Sequence, residues 1–244
     1  MSKHFFSNRR QLLGLGGTGI VSFLGGASVI KALDLQTNPP LTNDQPSFLE
    51  ENKQSYLSPT GFNQDFLAKS ADVKQIWDFV TLDQINSGCA AIKNAMNAFQ
   101  FTYKKSLYPV ICLRSNTVIY GLNDNIWIKY RLDTIFDQIG GVSTDGNPLY
   151  SRQTVDNGKL SPDDPNSLYQ DTSIQALLQR GASLALCHDA LQGLAARIAV
   201  QKQLTIESTY KEIVIHLVPG AQQTPSGSSL IAVAQHLGFT YAKQ

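Results

Sequence analysis

Residues 178–198 read LQRGASLALCHDALQGLAARI, and they decide how the chain is folded. Gly181 stops a preceding helix. Ala182 to Leu186 form a short apolar run of the buried-strand type, which leads into Cys187. Asp189 then falls in the first turn of a helix, where a carboxylate suits the positive end of the dipole. Leu191, Leu194, Ala195 and Ile198 recur at helical spacing, so the helix is expected to run to about Gln203. Cys187 thus stands at a strand-to-helix junction, beside backbone N–H groups that have no intrahelical partner. Such a place favours a thiolate and a nucleophilic sulfur. It is also the carboxyl end of a strand, where open α/β sheets place their ligands. The alternative is a small buried hydrophobe, the usual fate of a lone cysteine.

Working outward, other strands and helices alternate. QIWDFV (75–80) reads as a strand, and Asp83 as the cap of a helix from about Gln84 to Tyr103. Ile85, Cys89, Ile92, Met96, Phe99 and Tyr103 would form its buried stripe. Tyr108 to Leu113 is a buried-strand run that contains Cys112, and Arg114-Ser115-Asn116 ends it. Thr117 to Leu132 is expected to be helical. Residues 133–171 break into a long loop with many Gly, Pro, Asp and Asn. Asp145, Asp156, Asp163 and Asp164 lie there without the spacing of a calcium loop, so no metal site is expected. A helix from Ser173 to Arg180 precedes the Cys187 strand. After the Cys187 helix, EIVIHLV (212–218) reads as a fourth strand, 222–229 as a loop, Ser228 to Leu237 as a helix closed by Gly238, and Phe239 to Ala242 as a last strand. The expected fold is α/β: a single three-layer domain with a mostly parallel sheet of about five strands flanked by helices.

Composition narrows the class. The 244 residues carry 20 Lys and Arg against 19 Asp and Glu, a net charge of +1, and no basic stripe suggests a nucleic-acid partner. The three cysteines and four histidines show neither C-x-x-C nor zinc spacing. GLGGTG (14–19) imitates a phosphate loop but follows no strand, so no nucleotide cofactor is expected.

Residues 1–33 begin polar and basic and continue into a glycine-rich apolar run from Leu12 to Ile30. Arg9 and Arg10, followed by Gln11 and Leu12-Leu13, resemble a twin-arginine export signal. The resemblance implies the twin-arginine translocase as a transient partner, and a periplasmic or secreted protein. An ordinary secretory signal or an N-terminal anchor is the alternative. Residues 34–70 read as a polar linker or arm, and 71–244 as the domain.

Four stretches carry a second resemblance: KNAMNAFQF (93–101), YPVICLRSNTVIYGL (108–122), LLQRGASLALCHDAL (177–191) and HLVPGAQQTPSGSSLIAVAQHLGFTYAK (216–243). Their joint order resembles the DsrE/DsrF-like superfamily of small sulfur-handling proteins. In its sulfur-relay members a cysteine at the corresponding strand end carries a persulfide, and that position matches Cys187. The resemblance also implies a homo-oligomer, and a small sulfur species or a sulfur-transfer protein as partner. His188, next in sequence, is a candidate acid/base, with a solvent-facing polar residue as the alternative. Arg114 and Asn116 are candidates for binding an anionic sulfur species, with strand-end solvation as the alternative. Two functions follow: an exported sulfur carrier or sulfurtransferase-like protein that uses Cys187, or a non-enzymatic binding or assembly module.

Overall fold

A computed structural model describes residues 62, 64–135 and 146–243. Arg9, Arg10 and most of the connector lie outside the described residues. The described residues belong to one compact unit. Phe66 and Leu67, in a short 3-10 turn at Asp65–Ala68, are buried in its core.

Five parallel strands make the sheet: β1 (Val73–Phe79), β2 (Leu107–Leu113), β3 (Ser183–Cys187), β4 (Ala221–Thr224) and β5 (Thr240–Lys243), in the order β4-β3-β2-β1-β5. The helices are α1 (Ile85–Asn97), α2 (Asp124–Tyr130), α3 (Leu132–Ile135), α4 (Ile174–Gln179), α5 (His188–Lys202), α6 (Ile206–Ile215) and α7 (Gly227–His236). Strand alternation divides the core in two. Trp77, Phe79, Ile111, Leu113, Leu184 and Leu186 pack with α1, α2, α4, α5 and α6. Ile76, Val110, Cys112 and Ala185 pack with Leu230 and Ala234 of α7, and with Phe66, Leu67 and Phe239. This is a three-layer α/β domain, and the connection rule explains its asymmetry. Connections from β1 to β4 all step the same way across the sheet, so right-handed crossovers put their helices on one face. The step from β4 back to β5 reverses, and among the described residues α7, with the turn that carries Phe66 and Leu67, covers the other face.

Several sequence expectations need correction. EIVIHLV is mostly helix, not strand. Thr205 caps α6 by accepting the Ser208 N–H, Glu207 pairs with Lys211 one turn on, and only Thr209 and Ile213 are buried. The β-branched run therefore satisfies a four-residue period, and the fourth strand is the short polar AQQT at the sheet edge. Asp83 does not cap α1. It sits in a 3-10 turn, Leu82–Gln84, and Gln84 precedes the helix without a side-chain cap bond. Ile85, Cys89, Ile92 and Met96 form the buried stripe, but the chain then winds as a π-helix over Ala98–Tyr103. That change of pitch rotates Tyr103 outward to 62% exposure. The expected helix from Thr117 to Leu132 is instead a 3-10 segment, Ser115–Gly121, an extended Leu122, and then α2, capped by Asn123.

Residues 146–171 form turns without regular elements, held by two carboxylates. Asp156 accepts the N–H groups of Gly158, Lys159, Leu160 and Leu168. Asp171 accepts those of Gln153, Thr154 and Ser173. These aspartates organise the loop's own backbone. Among the described residues, no three His, Cys, Asp or Glu side chains converge to hold a metal, and no helix is long and apolar enough to cross a membrane.

Candidate functional site at the carboxyl edge of the sheet

The chain leaves β3 toward α5 on one face and leaves the neighbouring β4 toward α7 on the other. The carboxyl ends of β3 and β4 are therefore the point where the winding reverses, the usual place for a crevice in an open α/β sheet. Cys187 ends β3 there, in register with Thr224 at the end of β4. The thiol itself packs in the α5-side core, with Leu184, Leu186 and Leu191. Thr224 is fully buried, and its Oγ1 has no hydrogen-bond partner.

Cys187 occupies the N-cap position of α5 with extended backbone (φ −67°, ψ 117°), and its side chain caps no N–H. It is 6% exposed. The strand-end position is thus as read from the sequence, but the sulfur is enclosed rather than open. Cys112 lies close on the α7 side. Burial pushes its thiol pKa upward, and the negative charges of Asp78 and of an ionised Cys187 push it further. Its Sγ is 3.9 Å from the Gly227 carbonyl oxygen.

His188 turns away from water. It is buried, with Nδ1 2.6 Å from the Tyr210 hydroxyl oxygen of α6, and that hydroxyl donates to Gln223 Oε1 of β4 at 2.9 Å. Because the phenol proton is committed to Gln223, the imidazole Nδ1–H donates to Tyr210. Burial holds the imidazole pKa below its ordinary value, although Asp189 and Gln223 act in the opposite direction. A neutral ring is therefore the resting form at neutral pH. Phe62 packs edge-on against it, with ring centroids 5.4 Å apart. No motif in the sequence marks Tyr210 or Gln223 as its partners, because Tyr210 reads as lying before a strand at 212–218 and Gln223 as part of a loop.

Arg114 and Asn116 go to opposite sides of the sheet edge. Arg114 forms a two-point ion pair with the fully buried Asp78. The charge and hydrogen bonds of Asp78 raise its pKa, and Tyr241 donates to the same carboxylate. Gly227 at the start of α7 lies against Arg114: a Cβ there would stand 2.9 Å from both Cβ and Cδ of the arginine. Asn116 instead lines a cleft of about 220 Å³ on the α5 side, with Ser115, Gly193 and Arg197.

No family model matches the chain. Nor does any curated protein. The geometry of the carboxyl edge is therefore the ground for a functional reading. It offers an enclosed thiol at a helix N-terminus, a neutral histidine next in sequence, an unsatisfied hydroxyl on the adjacent strand and a committed ion pair nearby.

Proposed function

We propose that the protein is an exported, DsrE-like sulfur carrier in which Cys187 accepts sulfane sulfur from a small donor such as polysulfide or thiosulfate. The observation that carries this reading is the position of Cys187: it closes β3 where the winding reverses, at the usual crevice of an open α/β sheet, and stands as the N-cap residue of α5. The thiolate attacks the sulfane sulfur. A new S–S bond forms on Cys187 as the donor's own bond to that sulfur breaks, and the donor departs as sulfite or as a polysulfide one sulfur shorter. The donor supplies the oxidation level, so no separate oxidant is needed. His188, neutral and next in sequence, is the base that takes the thiol proton. Arg114 and Asn116 would add positive potential and a polar lining on the two sides of the edge. Export rests on Arg9 and Arg10, and a homo-oligomer is part of the same reading. Arg9→Lys with Arg10→Lys is expected to keep the protein in the cytoplasm, and light scattering at micromolar concentration reads the assembly state.

A second reading, a non-enzymatic binding or assembly module, is favoured by the 6% exposure of Cys187. A carrier that hands sulfur to a bulky protein needs an open sulfur, whereas a binding module tolerates an enclosed one. Intact mass after polysulfide or thiosulfate treatment separates the two. The carrier gains one sulfur, Cys187→Ala does not, and cyanide removes the added atom. An unchanged mass in the folded wild-type protein, with all three thiols reduced, would favour the module.

A further inference from the structure

At the amino edge of the sheet, where β2 begins and α4 ends, lies a cavity of about 500 Å³. Lys104, Lys105 and Arg180 line it together with Gln100, Met96 and Leu107. Three cations thus surround a space large enough for a small molecule. The carboxylate that belongs to this edge is Asp72, and it is already engaged. It accepts the Ser106 N–H and hydroxyl, each at 2.7 Å, and lies near Lys105.

Arg180 is the informative residue. Its guanidinium carbon sits 5.1 Å from the centre of the Tyr169 ring. Both terminal nitrogens are buried and have no hydrogen-bond partner. Burial lowers the Arg180 pKa to about 10, which still leaves the group charged at neutral pH. A buried charge without an acceptor is unfavourable and is normally paired or hydrogen-bonded. The backbone beside it is also unusual: the π-helix over Ala98–Tyr103 ends at Lys104 in the left-handed region, φ 54°.

We propose that this cavity binds a small molecule bearing a tetrahedral oxyanion, a phosphate or sulfate group, held by the positive charges of Lys104, Lys105 and Arg180 around it. Met96 and Leu107 provide an apolar wall for the carbon portion of an ester. The site is independent of the Cys187 reading, since it lies at the opposite edge of the sheet. Lys104 and Arg180 each also follow the last helical turn, where a cation interacts favourably with the dipole whether or not an anion binds.

The test uses the full chain and titrates inorganic phosphate, pyrophosphate and sulfate calorimetrically at constant ionic strength, with chloride as the control. Pyrophosphate or sulfate is expected to bind and to raise the melting temperature, with Cys187→Ser behaving as wild type. Arg180→Gln is expected to weaken binding by about tenfold or more and to abolish the thermal shift. Lys104→Asn, which tolerates the left-handed backbone, should weaken binding severalfold without altering the fold. Absence of binding by all three anions at about 10 mM overturns the proposal. So does an unchanged affinity in Arg180→Gln, including the case where its melting temperature falls, because the cations would then serve the helix ends alone. If Arg180→Gln does not fold, Lys104→Asn combined with Lys105→Gln decides: lost affinity supports the site, and unchanged affinity overturns it.

Discussion

Arg114 meets Asp78 at two points, Nε 2.6 Å from Oδ1 and Nη2 2.9 Å from Oδ2, and so ties the end of β2 to the end of β1. Tyr241 of β5 donates to Oδ2 of the same carboxylate at 2.8 Å. One buried acid therefore links three neighbouring strands at the carboxyl edge. The Arg114 side chain is 30% exposed and that of Asp78 only 1%, so the acid depends on its partners more than the base does.

Asp78→Asn keeps the shape and removes the charge, leaving Arg114 half-enclosed without a counterion. Breaking a buried pair typically costs ~3–5 kcal/mol, and the partial exposure of Arg114 places this one near ~3 kcal/mol. Tyr241→Phe removes one hydrogen bond and should cost ~1 kcal/mol. Urea midpoints at unchanged slope measure both. A wild-type midpoint for Asp78→Asn would mean that the pair contributes nothing to the fold.

Much of this architecture is legible in the sequence because it depends on local pattern. Gly181, the apolar run to Leu186 and the spacing from Leu191 to Ile198 place β3 and α5 correctly, as Gly238 (φ 84°) does for the end of α7. Tertiary context decided the rest. EIVIHLV is rich in β-branched residues, yet α6 needs only Thr209 and Ile213 on its buried face, and the Thr205 cap starts it as a helix. The edge strand β4 lacks an apolar signal because only Thr224 is buried. Cys187 was visible from its position, but the Asp78 partner of Arg114, 36 residues away, could be found only from the packing of β1 on β2.

His188 makes stability depend on pH near neutrality. Burial lowers its pKa in the folded state below the ordinary 6.5. Above that value both states are neutral and the full stability is present. As pH falls through 6.5, the unfolded chain binds a proton that the folded chain does not, so stability declines until the folded pKa is reached. Melting temperatures from pH 8 to 5 should fall in this window for the wild type and less steeply for His188→Gln. Parallel curves would remove His188 from the explanation.

Asp156 is expected to hold its loop and little else. Its pKa is lowered, first by the Leu168 N–H, and it also accepts three N–H groups just ahead of it in sequence. The depressed value means that this hold is intact above the ordinary carboxylate pKa and is lost as pH falls through the folded one. Asp156→Ala should raise amide exchange and proteolysis across residues 157–168 at neutral pH, with global unfolding little changed. Exchange that rises equally in β1 to β3 would show that the loop is not a separate unit.

The three thiols should react in a definite order. Cys89 lies on the buried stripe of α1, and burial pushes its pKa up to about 12. Cys112 lies inside β2, where burial and the negative charge of Asp78 raise it further. Neither presents thiolate to a reagent at neutral pH. Cys187 stands at a strand end and the N-cap of α5, at the edge of the sheet rather than inside it, but its 6% exposure slows approach. Timed iodoacetamide labelling read by mass spectrometry is expected to modify Cys187 first, more slowly than any of the three in denaturant, and the denatured rates should converge. Cys89 or Cys112 labelled as fast as Cys187 before unfolding would remove Cys187 as the distinctive thiol. A Cys187 inert to iodoacetamide but converted to a persulfide by polysulfide or thiosulfate would mean that the crevice admits the sulfur donor while excluding the alkylating reagent, the condition under which an enclosed sulfur can still serve as a carrier.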